Sequence, residues 1–232
     1  MYRLNARALM LLLIIAGVAF AANSVTITID GSGSMRERVG NTTRFEIARN
    51  ATLCLLDSIK EGDEVAIFVF EDYRKVSLIL PFTTNKQAMR SAVRGMTSEF
   101  GNTDLRAGIN VSASYTLANA SNANKILIVV SDGGAASSAL NATAKELHER
   151  GISRIQVVGL NVRDNTTAGK ALDNIAENGG GEFYSTLDYP TACDAFKDAY
   201  NDAASGGGGT GCCPVLAFLP LLLALCLSLS RQ

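Results

Sequence analysis

The sequence predicts an α/β domain: a doubly wound, mostly parallel sheet with one antiparallel edge strand and helices on both faces. Three observations carry that expectation. Strand-like and helix-like stretches alternate from Asn23 to Ser205. Two of the strand-like stretches, EVAIFVF (Glu64–Phe70) and KILIVVS (Lys125–Ser131), are nearly continuous apolar runs, as expected of strands covered on both faces. The run KVSLILPF (Lys75–Phe82) follows the first of them after only four residues, which suits a hairpin, and Pro81 suits an edge strand.

In chain order, SVTITID (Ser24–Asp30) is the first strand and stops at a carboxylate. Arg44 to Lys60 has helical spacing, with Phe45, Ala48, Leu55, Leu56 and Ile59 on one side. After the hairpin, helices are expected over Asn85–Gly95 and Asp104–Ala118, followed by the second apolar strand. The pattern then gives a helix (Ala135–Arg150), a strand (Ile155–Leu160), a helix (Ala168–Glu177), a short strand (Glu182–Ser185) and a last helix (Thr191–Ala204). No internal repeat is visible, and Gly206–Gly209 reads as a flexible tether.

Both ends carry marks of processing. Arg3 and Arg7 precede the apolar run Ala8–Val18, which leads into Ala19-Phe20-Ala21. This is the pattern of a secretory signal over residues 1–22, with cleavage near Ala21 or Ala22. A buried first helix or a membrane anchor is the competing reading, but the run is short for a span of about 20 residues. The domain then covers 23–204, a Gly-rich spacer 205–213, and a hydrophobic anchor or sorting signal 214–232. Small residues, a spacer and an apolar tail make the pattern of a GPI-attachment signal, with Asn201, Ala204 or Ser205 as the attachment residue. A prokaryotic sorting tail, or lipidation at Cys212 or Cys213, fits the same stretch. Each alternative places the protein on the outer face of the cell membrane or envelope, tethered by its C-terminus. Six sequons, at Asn41, Asn50, Asn110, Asn119, Asn141 and Asn165, point to a glycosylated exported protein.

With 21 Lys and Arg against 22 Asp and Glu, and no basic cluster, the chain offers no electrostatic case for nucleic acid. Without the tail the cysteines are Cys54 and Cys193; an exported pair often forms a disulfide, and two buried thiols fit equally. His148, among charged helix residues, reads as a solvated side chain, and Glu71 and Asp72, just past a strand end, read as rim carboxylates.

Ligands of open parallel sheets bind beyond the carboxyl ends of the strands, where strand order reverses. Three short stretches belong there: Asp30-Gly31-Ser32-Gly33-Ser34, Asn102-Thr103-Asp104 and Ser131-Asp132-Gly133. Together they supply Asp30, Ser32, Ser34, Thr103 and Asp132, all oxygen donors with neither His nor Cys among them. Such a set suits Mg²⁺, Mn²⁺ or Ca²⁺ and argues against Zn²⁺ or copper. Taken singly, each stretch has a bland reading as a turn or a helix cap.

Asp-x-Ser-x-Ser, a distant Thr before Asp-Leu, and a later Asp-Gly after an apolar strand resemble the metal-ion-dependent adhesion site of von Willebrand factor type A domains. DGSGSM, GDEVAIFVFED and NTDLRAGI are similar to that family's stretches, although many members carry Gly-Gly-Thr where this chain has Gly101-Asn102-Thr103. The resemblance covers most of 23–204. It implies a divalent cation, Mg²⁺ first, touched by the Ser32, Ser34 and Thr103 hydroxyls, with Asp30 and Asp132 binding directly or through water. It implies a position left for the carboxylate of a protein or matrix partner. Family members pack the first and last helices together, which would let Cys54 and Cys193 meet.

The leading expectation is therefore a surface-anchored, metal-dependent adhesion module. A scaffold subunit whose metal is only structural is the alternative. Catalysis is disfavoured: Gly31-x-Gly33 is followed by Arg36 where a dinucleotide fingerprint needs a third glycine, no phosphate-loop motif occurs, and Asp30 has no candidate general base beside it.

Overall fold

The computed structural model describes residues 22–72, 74–133 and 138–205. Most of the expected signal peptide, the spacer beyond Ser205 with Cys212 and Cys213, and the C-terminal tail lie outside the described residues. Strand β1 (Asn23–Asp30) is followed by a short 3₁₀ turn (Gly33–Arg36), the two-residue strands β2 (Arg38–Val39) and β3 (Thr42–Thr43), and helix α1 (Arg44–Ser58). Next come β4 (Glu64–Phe70), β5 (Val76–Thr83), α2 (Lys86–Arg94), α3 (Leu105–Asn119) and β6 (Asn124–Ser131). The chain continues through α4 (Ser138–Glu149), β7 (Arg154–Leu160), α5 (Thr167–Asn178), β8 (Phe183–Thr186) and α6 (Tyr189–Ser205).

The main sheet has the order β5-β4-β1-β6-β7-β8, parallel throughout except for the β4–β5 hairpin. This is the predicted doubly wound architecture with its antiparallel edge. The chain leaves β1 toward β4 on one side and reaches β6 on the other, so the order reverses between β1 and β6. The registers Asp30↔Phe70 and Ile29↔Val130 bring the carboxyl ends of β1, β4 and β6 level at that point.

Alternation along the strands builds two cores. Val25, Ile27 and Ile29 of β1 face α1, α2 and α6, while Leu127 and Val129 of β6 face the side covered by α3, α4 and α5. Burying each such Val, Ile or Leu side chain contributes about 1.5–3 kcal/mol against leaving it in water. Thr26 shows why β1 alternates with threonine: its hydroxyl meets that of Thr116 on α3 at 2.6 Å inside the second layer.

Local chemistry sets the helix ends. Thr43 and Glu46 form a reciprocal capping box at α1, Asn85 caps α2, and Asp104 caps α3 through Ala107 N–H at 2.9 Å. The last helix begins two residues before its expected start because Asp188 caps it, accepting Thr191 N–H at 2.9 Å. Cys54 of α1 and Cys193 of α6 are joined in a disulfide, with a Cα–Cα distance of 5.7 Å across a sequence separation of 139. Among the described residues no helix is long and apolar enough to cross a membrane.

Candidate metal site

β1 carries Asp30 to the switch point and buries it completely. Its Oδ1 accepts Ser32 N–H at 2.8 Å and its Oδ2 accepts the Ser131 hydroxyl at 2.8 Å, so one carboxyl ties the ends of β1 and β6 together. Burial pushes this carboxyl up to about 6; the hydrogen bonds from Ser32 and Ser131 hold it back, and the neighbouring Asp132 adds to the rise. No Lys or Arg forms an ion pair with Asp30 among the described residues.

The 3₁₀ turn begins at Gly33, whose N–H donates to Gly101 O at 2.7 Å, and it anchors itself by burying Met35. It places the Ser32 and Ser34 hydroxyls 3.1 Å apart. Gly31 is needed before it, because a Cβ there would lie 2.7 Å from Ser98 Oγ and 2.8 Å from a Val69 methyl. Thr103 sits half-buried one residue before the α3 cap, in the segment whose Gly101 holds Gly33. Asp132 follows β6, its side chain only 3% exposed.

The structure thus brings the three stretches to one pole. The donor set is two carboxylates and three hydroxyls, and among the described residues no group of three or more His, Cys, Asp or Glu side chains converges. A buried carboxyl that lacks a cation, beside paired hydroxyls, fits a small hard cation and does not fit zinc or copper.

Two residues here were not singled out in the sequence as parts of a site. Arg44, the first residue of α1, reaches Asp132 Oδ2 at 2.8 Å, Glu37 at 2.7 Å and Ser34 O at 3.3 Å. Glu71 is not the rim carboxylate expected: it is 6% exposed, and its Oε1 accepts Glu99 N–H at 2.7 Å. It turns inward because β4 ends beneath the 98–104 segment, whose backbone it satisfies. His148 is exposed, as expected, with Nδ1 2.9 Å from Ile152 O.

A cleft of about 500 Å³ opens beside Asp132, walled by Val162, Arg163, Ala168 and Leu187. Of the sequons, Asn41, Asn119 and Asn165 are exposed, whereas Asn50, Asn110 and Asn141 are half-buried on helices. The sequon hydroxyls Thr52 and Ser112 are fully buried. Asn201, Ala204 and Ser205 all lie in the last turn and a half of α6.

Residues 25–135 match the model of the von Willebrand factor type A domain, a span that runs from β1 past Asp132. That likeness to the family covers just under half of the chain. No curated protein matches it. Among solved structures, the chain is similar to an aerotolerance-related membrane protein from Bacteroides fragilis, with 22% identity and a TM-score of 0.66 over 79% of this chain and all of that one. It is also similar to the von Willebrand factor domain of the type V pili tip protein Mfa5 from Porphyromonas gingivalis (13% identity, TM-score 0.62, 82% of this chain and 96% of that one). A third is the PilB minor pilin from Streptococcus sanguinis (15%, 0.63, 83% and 64%). At these identities the likeness is one of fold.

Proposed function

We propose that the protein is an extracellular binding module, held at the cell surface by its C-terminus, whose divalent-cation site is completed by a carboxylate of a protein partner. The observation that carries this reading is the charge balance at the switch point. Of the five candidate ligands only Asp30 and Asp132 bring negative charge, and Asp132 is shared with Arg44, which also pairs with Glu37. A cation held by so little protein charge retains Lewis acidity toward an outside anion.

In this reading Asp30 and the Ser32, Ser34 and Thr103 hydroxyls hold the ion, Mg²⁺ first with Mn²⁺ or Ca²⁺ as alternatives. Asp132, fixed by Arg44, binds it directly or through water. When bound, the ion supplies an electrophilic point for one carboxylate oxygen. The cleft beside Asp132 receives the partner's flanking residues, with Leu187 at its wall 45% exposed. Binding rather than catalysis is the proposed role, since Asp30 is surrounded by hydroxyls and backbone amides. The sequence marks of export and anchoring support a surface location. So do the fold neighbours described as a pili tip protein, a minor pilin and a membrane protein. Glycans are proposed at the exposed Asn41, Asn119 and Asn165.

Thermal unfolding with and without Mg²⁺, Mn²⁺ and Ca²⁺ tests the metal. The expected result is a metal-dependent rise in Tm that Asp30→Ala loses; no shift with any of the three ions would contradict it.

A further inference from the structure

Glu71 stands outside the five candidate ligands, yet the loops carrying four of them meet around it. Its side chain lies 8% exposed at the end of β4. Oε1 accepts Glu99 N–H at 2.7 Å and lies 3.1 Å from the Ser98 hydroxyl. That hydroxyl also reaches the carbonyl of Gly31 and accepts Phe100 N–H at 3.0 Å. The Glu71 backbone carbonyl takes Asp104 N–H at 3.1 Å, next to Thr103. One side chain and its carbonyl thereby hold both ends of the 98–104 segment. Through Ser98 the same segment grips Gly31, in the loop that carries Ser32 and Ser34.

The rest of the geometry is built around this carboxylate. Gly101 passes so close that a Cβ there would lie 3.0 Å from Glu71 Oε2. Gly101 O in turn holds Gly33 N–H at 2.7 Å. Oε2 is buried without a hydrogen bond, with Lys75 Nζ 3.9 Å away. A carboxylate buried with one oxygen unsatisfied carries a desolvation penalty. Retaining it makes sense where its other oxygen orders a segment that no strand or helix orders.

We propose that Glu71 is a positioning residue: it clamps the Thr103 segment against the Asp30–Ser34 loop and so sets the hydroxyl geometry of the metal site, a role that rests on the metal-site reading above. Its first consequence is independent of any ion. In metal-free protein, Glu71→Ala should speed hydrogen exchange at Glu99, Phe100 and Gly33 amides while leaving exchange in the β6 core unchanged. Glu71→Gln, which keeps a carbonyl acceptor in place of Oε1, should restore most of that protection. Its second consequence is metal affinity, which should fall about 10–100-fold in Glu71→Ala, as for other residues that orient ligands, and recover in Glu71→Gln.

Wild-type exchange rates at the three amides in Glu71→Ala, or acceleration spread evenly over the molecule, would overturn the clamp. A lowered Tm with unchanged Mg²⁺ affinity would reduce Glu71 to a stabilising side chain and overturn its positioning role. If wild type binds no ion while the alanine variant still frees the three amides, the clamp stands and the metal-site reading falls.

Discussion

Asp63 shows how a single buried carboxylate can hold distant parts of this chain together. It is 2% exposed and receives Asn23 N–H at 2.8 Å, Asn23 Nδ2 at 2.9 Å and the Tyr200 hydroxyl at 2.6 Å, pinning α6 to the first residue of β1. Tyr200→Phe removes that donor, and with it the acceptor of Lys60 N–H at 3.0 Å, which should lower stability by about 1–3 kcal/mol, read as a lower urea midpoint at unchanged m-value. The five candidate ligands were legible in the sequence because each lies within a short local pattern of Asp, Ser, Thr and Gly. Arg44 and Glu71 were not, because their meaning lies in contacts 88 and 28 residues away along the chain. From the sequence, Arg44 is only the start of a helix and Glu71 only a charge after a strand.

Elements were legible wherever one physical signal dominated. The apolar runs of β4 and β6 and the helical spacing of α1 needed no tertiary information, and the hairpin declared itself by its short connection. The 3₁₀ turn and the β2–β3 hairpin were missed, being too short to carry a period. Helix α1 supports two predictions. Its capping carboxylate, Glu46, is held below the usual 4.5 first by Thr43 N–H and then by the Thr42 and Thr43 hydroxyls. A depressed folded value means stability that is present above pH 4.5 and lost as pH falls through the lower folded value. Glu46→Gln should therefore flatten the acid limb of a stability–pH curve. At its other end α1 is bonded to α6 by Cys54–Cys193, closing a loop with a sequence separation of 139. In the chain-entropy model so long a loop is worth about 4–5 kcal/mol, so the Cys54→Ser/Cys193→Ser pair should lower the denaturant midpoint accordingly, and reductant should affect only the wild type.

At the scale of the whole molecule, the fold places all its site-forming loops at one pole, while the C-terminal end of α6 lies at the opposite pole, where Tyr200 reaches Asp63 and through it Asn23 at the start of β1. That separation suits the proposed function, in which the C-terminal tether lies away from the partner-binding pole. The central claim is that this pole takes a cation and leaves it a place for a foreign carboxylate. Water-proton relaxation in the presence of Mn²⁺ tests it most directly, because it reports both the bound ion and its exchangeable water. The account predicts enhanced relaxation that Asp30→Ala abolishes and that an acidic peptide lowers in wild type by displacing a bound water. Equal relaxation in wild type and Asp30→Ala would contradict the site. Enhancement in wild type that no carboxylate lowers would contradict the open position.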